Sequence, residues 1–210
     1  MLDLPPMPPC IANLPKDDRG YPVPWFVAWI DGVPDFRVIG PGKLNAAFNK
    51  NLCWICGQPR GTRHAFVIGP MCSVNRVSSE PPSHLECAIF AAKACPFLTR
   101  PKQKRNLKDM PEEAKDPAGI YISRNPGVTL VYVTRSFKPF NAGNGVLFQL
   151  GEPEDTLWYA EGGPATRAQV DASIASGLPL LMAEAEKEGV AAVAELNKLV
   201  QIAQKFLPTA

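Results

Sequence analysis

The pattern of apolar and polar positions in the N-terminal quarter of the chain predicts a β-hairpin. Residues 25–30 form an apolar run, and residues 35–39 form a second run in which polar positions are interspersed. Asp31-Gly32 stands between the two runs, and this pair tolerates the positive φ angles that tight hairpin turns require. Residues 43–51 place apolar side chains on one helical face, which predicts a short helix.

Three stretches in the C-terminal half of the chain have the composition of strands. Residues 127–137, 145–150 and 156–160 are rich in Val, Leu, Tyr and Phe, and Gly, Asn and Pro stand between them. Branched and aromatic side chains favour extended backbone, and the intervening residues favour turns. These stretches predict a small antiparallel sheet.

The last 45 residues have the pattern of helices. Thr166 is a good N-cap for a helix that ends at residue 176, and Pro179 can open a second helix that runs to about residue 188. Between residues 193 and 207 apolar side chains recur at spacings of three and four, which predicts an amphipathic C-terminal helix. Together with the strands, these helices predict an α+β fold.

Proline is concentrated at the start of the chain. Nine of the 23 prolines lie in the first 41 residues, and residues 1–22 follow neither a strand nor a helix period. This segment is therefore predicted to be an extended arm. The organisation that we predict is an arm and hairpin at 1–52, a metal-binding module at 53–98, a basic and acidic linker at 99–119, and a sheet with C-terminal helices at 120–210.

The chain contains six cysteines and no pattern that predicts export or membrane insertion. Its first ten residues lack the basic start of a secretory signal, and the apolar run at 25–30 is too short to span a bilayer. These features predict a cytoplasmic protein without a membrane partner. In a reducing compartment, free thiols or metal ligands are the expected roles of cysteine.

Two pairs of potential ligands form the strongest chemical signal in the sequence. Cys53 and Cys56 are separated by two residues and are followed by Gly57, and His84 and Cys87 have the same spacing. The first pair is typical of a tight turn that brings two thiolates to one Zn²⁺ ion, and the second pair can share one face of a helix start. Four protein ligands predict a closed, structural zinc site, because catalytic zinc keeps a position for water.

The ligand pairs, the segment between them and the residues after them together resemble a known family. Residues 64–68 and 71–77 flank Gly69-Pro70 and read as a hairpin, and residues 88–95 read as a helix. A cysteine turn, a hairpin and a helix with ligands in its first turn resemble the treble-clef zinc finger over residues 53–95. The whole chain is also similar to uncharacterised proteins encoded by tailed phages and prophages, a resemblance that implies a bacterial host and no activity.

Other arrangements of the cysteines stay open. Cys72 can replace His84 as a ligand, because zinc accepts sulfur and imidazole alike. The four ligand residues can instead be buried core residues, as free cysteines often are. Cys10, in the arm, is predicted to lie outside the ligand set.

Some treble-clef proteins are nucleases of the HNH type, and two residues occupy the corresponding places in the order of the motif. His64 follows the first cysteine pair and Asn75 precedes the second pair. The family places a further histidine directly after the second pair, where this chain has Ala88. Metal-assisted hydrolysis needs its ligand set, so the resemblance implies at most a degenerate or divergent nuclease with His64 and Asn75 as catalytic residues.

Charge is unevenly distributed although the chain as a whole carries only +2. Residues 53–108 contain nine Lys and Arg against two Asp and Glu, and residues 109–210 contain eight against 13. The basic residues that could contact nucleic acid are Arg63, Arg76, Arg100, Lys102, Lys104, Arg105 and Lys108. They can neutralise phosphates, or they can dock against the acidic half of the same chain.

These observations predict a non-enzymatic binding protein, stabilised by structural Zn²⁺, that contacts nucleic acid through a basic surface around residues 60–108. The alternative is a phage-type accessory protein that binds a host or virion protein. Trp25, Phe26 and Trp29, or the C-terminal helix, would then form its interface, because exposed apolar surface is typical of protein-binding sites. The sequence does not specify an oligomeric state.

Overall fold

The computed structural model describes residues 4–101, 106, 108, 110, 118–119, 125–143 and 145–209. The predicted α+β class is confirmed, because helices and antiparallel strands alternate along these residues. In chain order the elements are α1 (Pro9–Ala12), β1 (Val27–Ile30), β2 (Val33–Ile39), α2 (Lys43–Asn49), β3 (His64–Ile68), α3 (Pro70–Asn75), β4 (Val77–Ser78), α4 (Leu85–Ala94), α5 (Pro96–Thr99), β5 (Thr129–Thr134), β6 (Phe137–Asn141), β7 (Val146–Leu150), β8 (Pro153–Ala160), β9 (Gly163–Pro164), α6 (Arg167–Glu188) and α7 (Val190–Ala203).

The predicted N-terminal hairpin and the short helix after it are confirmed. Strands β1 and β2 pair antiparallel, with Ile30 opposite Val33 at the turn. Asp31 and Gly32 have φ angles of 49° and 80°, the positive values that the Asp-Gly pair predicted. Helix α2 ends at Asn49, within the stretch predicted to be helical.

A four-stranded antiparallel sheet, in the order β3-β5-β8-β9, forms the centre of the fold. All six residues of β5 are buried, so both faces of this strand are covered. Its residues alternate between the faces, as the two-residue period of a strand requires. Leu130 and Tyr132 pack on one side with Phe66 and Trp158, and Val131 and Val133 pack on the other with residues of α4.

The central sheet therefore lies between two different layers. Helix α4 covers one face through Ala88 and Ala92. Helix α6 and a second sheet, in the order β4-β7-β6, cover the other face through side chains that include Val170, Ile174 and Phe148. The strand composition of residues 127–160 thus predicted antiparallel pairing correctly, but these strands are divided between two sheets rather than forming one.

The predicted hairpin over residues 64–77 is wrong. β3 is a strand, but Pro70 opens helix α3 where the second arm was expected, and β3 pairs with β5 instead. Proline suits the first turn of a helix, where its missing N–H is not needed. Because β3 buries residues on both faces, it gains more from pairing with the fully buried β5, between the two covering layers, than from a hairpin at the surface.

The C-terminal helices also differ from the prediction. Helix α6 runs without a break through Gly177 and Pro179, where two helices were expected. Residues beyond the proline, such as Met182 and Ala185, pack with α3 and α7, and this packing offsets the hydrogen bond that proline cannot make. Thr166 caps α6 as predicted, and α7 ends at Ala203 in a short 3-10 turn.

The N-terminal segment is docked on the protein and is not a free extended arm. It contains the single helical turn α1, and Ile11 is 1% exposed. The Trp25 amide donates a hydrogen bond to the carbonyl of Ile55 at 2.7 Å, which ties the end of this segment to the cysteine turn. Among the described residues, no helix is both long and apolar enough to cross a lipid bilayer.

Candidate metal centre

The turn that carries the first cysteine pair is closed by backbone hydrogen bonds. The Cys53 amide donates to the Gln58 carbonyl at 2.8 Å, and the Gly57 amide donates to the Cys53 carbonyl at 2.9 Å. Gly57 has a φ of 73°, and a Cβ on it would lie 2.5 Å from the ring of Trp25. Glycine is required here both for the backbone conformation and for the approach of the indole.

The second pair is positioned by the central sheet. Ala65 of β3 and Ser83 exchange two backbone hydrogen bonds, of 3.1 and 2.7 Å. His84 follows directly as the N-cap of α4, and Cys87 lies in the first helical turn. The strand therefore fixes the place at which α4 begins, and with it the direction of both side chains.

Four side chains bring their donor atoms together at this point: those of Cys10, Cys56, His84 and Cys87. Their donor atoms all lie within 4.8 Å of one another. His84 Nδ1 is 3.4 Å from Cys56 Sγ and 3.8 Å from Cys87 Sγ, and Cys10 Sγ is 3.4 Å from Cys87 Sγ. The arrangement is that of a Cys/His cluster compatible with a zinc site.

Cys10 is the member that the sequence analysis placed outside the ligand set. It belongs to neither spaced pair, and it reaches the cluster because α1 packs on the cysteine turn. The sequence does contain a weak signal for this packing. Met7, Cys10, Ile11 and Leu14 recur at helical spacing, and all four pack in one apolar cluster with Cys53, Cys56 and Cys87.

The distances and hydrogen bonds fit a tetrahedral Zn²⁺ ion. Zn–S bonds of about 2.3 Å and Zn–N bonds of about 2.0 Å place neighbouring ligand atoms about 3.5–3.8 Å apart. His84 Nε2 lies 3.0 Å from the Pro59 carbonyl oxygen, to which it donates when Nδ1 is unprotonated. A partner on the second ring nitrogen is the usual way in which a ligating histidine is oriented, and Nδ1 here faces the thiols.

Cys53 is fully buried and interacts with the same cluster. Its Sγ accepts hydrogen bonds from the backbone amides of Cys56, at 3.5 Å, and His84, at 3.3 Å. Hydrogen bonds from the thiols of Cys56 and Cys87 lower the pKa of Cys53. The hydrogen bonds that Cys53 accepts therefore favour its thiolate.

The pKa values of the two neighbouring thiols, Cys56 and Cys87, shift in the opposite direction. Donation to Cys53 raises the pKa of Cys56 to about 12 and also raises the pKa of Cys87. Three thiols this close cannot all ionise unless a cation is added, since like charges in a buried site repel. The donor set therefore has the chemistry of a site that a divalent cation completes.

A buried arginine lies beside the cysteine turn. Arg60 is 6% exposed, and its Nε donates to the Leu52 carbonyl at 3.1 Å. Its guanidinium also contacts His64 Nδ1 and lies over the ring of Phe137, 5.7 Å from the centroid. Burial lowers the pKa of Arg60, and the charge of Cys53 acts against this shift. Arg60 is therefore a fixed positive charge next to the thiols and not part of a basic surface.

The two remaining cysteines lie elsewhere in the fold. Cys72, the alternative ligand, is on α3 and packs against the core of the central sheet, where burial raises its pKa to about 11. Cys95 caps the C-terminal end of α4, and burial raises its pKa as well. Across the described part of the chain, the cluster that contains His84 is the one group of three or more His, Cys, Asp or Glu donors close enough to share an ion.

The two residues considered for a nuclease have structural partners. The ring of His64 packs edge-on against Phe137 at 5.0 Å, and burial, followed by the charges of Arg60 and Arg135, lowers its pKa to about 4. Asn75 ends α3, and its Oδ1 accepts the amide of Val77 at 3.1 Å. Neither residue is in the donor cluster.

The basic residues divide into paired and exposed groups. Arg63 pairs with Glu154 at 3.3 Å, and Arg76 pairs with Glu152 at 2.5 Å, so both contact acidic residues of the C-terminal half. Arg100 and Lys108 are exposed. Lys102, Lys104 and Arg105 lie outside the described residues.

The aromatic residues of the predicted protein interface are also divided. Phe26 stacks on Trp54 at 4.6 Å, and the ring of Trp25 lies against Gly57 with the Lys43 ammonium 4.1 Å from its centroid. Trp29 alone of the three predicted residues presents a large exposed surface, at 48%. On the C-terminal helix α7, the buried residues pack against α3 and α6.

No protein-family model, curated protein or solved structure matches this chain at a significant level. The resemblances to the treble-clef finger and to phage-encoded proteins therefore rest on the sequence motifs alone. What the structure adds to them is the Cys/His cluster.

Proposed function

We propose that this is a zinc-stabilised binding protein in which the metal is structural. The observation that carries the proposal is the Cys/His cluster, whose donors come from three separate parts of the chain: α1, the cysteine turn and the start of α4. Its donors are Cys10, Cys56, His84 and Cys87, and Cys53 lies beside them. A bound Zn²⁺ supplies a cross-link between these segments, as in small domains whose metal contributes folding energy.

The charge of the site supports zinc with mostly thiolate ligands. Three thiolates and one neutral imidazole around Zn²⁺ carry a net charge of −1. Arg60, which lies buried beside Cys53, supplies a compensating positive charge. A buried charge without such a partner is costly, so the arginine and the metal–thiolate group stabilise each other.

Native mass spectrometry of the full chain tests this proposal. We expect one zinc per chain, which a chelator removes. Cys56→Ser and Cys87→Ser should each lower zinc affinity at least tenfold, and Cys95→Ser, which changes a buried thiol outside the cluster, should leave it unchanged. A reduced wild-type chain that carries no metal would contradict the proposal.

We further propose that the ligand of this protein is nucleic acid, bound through the basic segment at residues 100–108. Arg63 and Arg76, which the sequence also placed in the interface, each pair with a glutamate, so we expect them to contribute less than the segment does. Support comes from the charge of this segment and from the exposure of Arg100 and Lys108. Arg37 donates to the carbonyl of Lys108 at 2.8 Å, which holds one end of the segment beside the hairpin.

Salt-dependent binding to random-sequence DNA and RNA tests the nucleic-acid proposal. Simultaneous Lys102→Ala, Lys104→Ala and Arg105→Ala should weaken binding and lower the slope of log K against log salt by about 2–3. The matched control replaces three lysines on the C-terminal helices and the turn after them, Lys187, Lys198 and Lys205, which are all exposed. Equal effects of the two triple variants, or no binding to either nucleic acid, would reject this interface.

A second candidate function is protein binding, as expected of a phage-type accessory protein that acts on a host or virion protein. The tip of the β1–β2 hairpin favours it, because Trp29, Ile30 and Val33 are exposed by 48%, 36% and 66%. Val33→Ser with Trp29→Ser should abolish capture of such a partner and leave nucleic-acid binding intact. If the variant loses nucleic-acid binding instead, the hairpin belongs to that interface.

A further inference from the structure

The candidate metal centre contains more donors than a tetrahedral ion uses. The donor atoms of Cys10, Cys56, His84 and Cys87 lie within 4.8 Å of one another, and Cys53 Sγ lies beside them, where it accepts the amides of Cys56 and His84. Zinc in structural sites takes four ligands. One donor is therefore in excess, and its identity determines how the site responds when a thiol is modified.

The thiols differ in their access to solvent. Cys53 and Cys87 are 0% exposed and Cys56 is 4% exposed, whereas Cys10 is only partly buried. Cys10 lies on α1, a single helical turn near the start of the described chain, and the other three lie on the cysteine turn and α4. Of the four cysteines, Cys10 is therefore the residue most open to a small solute from solvent.

Cys10 also lies within reach of a second sulfur. Its Sγ is 3.4 Å from Cys87 Sγ, and a disulfide bond of about 2.05 Å needs a movement of roughly 1.4 Å, which a side-chain rotation or a small shift of α1 can supply. From this geometry we propose, on the basis of the zinc site proposed above, that Cys10 and Cys87 form a peroxide-sensitive pair whose oxidation releases the metal.

The reaction balances with hydrogen peroxide as the oxidant. The Cys10 sulfur attacks one peroxide oxygen, which breaks the O–O bond and gives a sulfenic acid and one water. Cys87 Sγ then attacks the sulfenic sulfur, which forms the S–S bond and releases the second water. Two thiols lose two electrons and two protons to the peroxide, and Zn²⁺ keeps its charge.

Oxidation removes two donors at once, whereas the loss of Cys10 alone does not. With Cys10 absent, three donors of the cluster remain, and Cys53 Sγ is the neighbouring thiol that can become the fourth ligand. With the Cys10–Cys87 disulfide formed, only three donors remain, and the affinity for zinc falls. Oxidation of the Cys10–Cys87 pair therefore weakens zinc binding more than the loss of Cys10 alone does.

The test uses the zinc-loaded full chain, one equivalent of hydrogen peroxide and a chromogenic chelator that reports free zinc. Wild type and the control Cys95→Ser should release about one zinc per chain, with a Cys10–Cys87 disulfide in the non-reducing peptide map. Cys10→Ser, which is first loaded with zinc to the same occupancy as wild type, should release the metal at least tenfold more slowly. Circular dichroism before oxidation confirms that the variant is folded.

Two results would overturn the proposal. One is release from Cys10→Ser at the wild-type rate, and the other is a first disulfide between Cys53 and Cys56 in the wild-type map. If the reduced chain carries no zinc, the structural-zinc proposal fails by itself. The peptide map of the metal-free chain then still decides whether Cys10 and Cys87 form the first bond.

Discussion

Two regions of the molecule, the cysteine turn and the central sheet, are stabilised in different ways. Around the cysteine turn the buried apolar cluster has six members, and three of them are Cys53, Cys56 and Cys87. Around β5 the largest cluster has eleven members, which include four aromatic side chains. Burying a large apolar side chain contributes about 1.5–3 kcal/mol, and a cysteine contributes less. The sheet therefore has a sufficient core of its own, whereas the cysteine turn does not.

The cysteine turn is the region that the proposed metal would stabilise. Small cores rarely supply enough stability, and a metal cross-link is one of the usual supplements. In this protein the Cys/His cluster that would hold the metal lies next to a large core, to which it is joined by the Ala65–Ser83 hydrogen bonds and α4. We therefore expect zinc to order the N-terminal segment and the cysteine turn. The rest of the fold should form without it.

Removal of zinc should have the largest effect. The apparent binding free energy of structural zinc is about 10–16 kcal/mol in small peptides, and this energy stabilises the segments that supply the ligands. With chelator, hydrogen exchange should accelerate strongly at the amides of Cys53, Gly57 and Trp25, and the amides of β5 should stay protected. Equal loss of protection in both regions would show that zinc stabilises the sheet as much as the cysteine turn.

Trp158→Ala should be the most damaging single substitution in the sheet region. Trp158 is 6% exposed, and its Nε1 donates to the Phe206 carbonyl at 2.9 Å. The substitution leaves a cavity and removes one of the two hydrogen bonds that the Phe206 carbonyl accepts, the other coming from Thr156 at 3.1 Å, and should reduce the free energy of unfolding by about 3–5 kcal/mol. Urea unfolding measures the loss. Zinc stoichiometry should not change, and its loss would show that the two regions unfold as one.

Gly57→Ala tests the cysteine turn without removing a ligand. The new methyl group would lie 2.5 Å from Trp25 at a φ of 73°, so strain and displacement of the indole together should lower stability by about 2–4 kcal/mol. Gly61→Ala is the matched control, because no atom lies within 4 Å of its Cβ position. Thermal unfolding of the zinc-loaded proteins compares them. Equal stability of the two variants would mean that the turn does not need this glycine.

Local signals in the sequence predicted local structure correctly. Asp31-Gly32 predicted a turn with two positive φ angles, Thr166 predicted a helix start, and the spacing of Cys56, His84 and Cys87 predicted residues that do meet. The turn and the helix start depend on residues near one another in the chain, as does the spacing within each ligand pair, whereas the meeting of the two pairs also needs the Ala65–Ser83 hydrogen bonds. Such preferences are readable without knowledge of the rest of the fold.

The errors concern contacts between distant parts of the chain. β3 pairs with β5 because its two faces are covered by elements that follow much later, and α6 continues through Pro179 because α3 and α7 hold it. Cys10 reaches the cluster only through the docking of α1. In each case tertiary packing overrode a local preference or joined residues that no spacing rule connects.

The smallest effect that we predict is the pH dependence of stability due to His64, which lies where the sheet and the cysteine turn meet. It belongs to β3 of the central sheet, and its ring contacts Arg60 of the cysteine turn. Burial lowers its pKa from 6.5 to about 4, so the unfolded state binds more protons between these values. The neutral side chain stabilises the fold above about pH 6.5, and this contribution is lost as the pH falls towards 4.

A comparison of wild type with His64→Gln isolates the pH-dependent contribution of His64 to stability. Glutamine keeps a hydrogen-bond acceptor near Arg60 and does not titrate. The difference between their free energies of unfolding should decrease by about 1–2 kcal/mol from pH 7 to pH 4, after allowance for the partial exposure of the ring. Acid release of zinc affects both proteins equally and cancels in the difference. A difference that is independent of pH would show that His64 is solvated, and that the contact between sheet and cysteine turn is open to water.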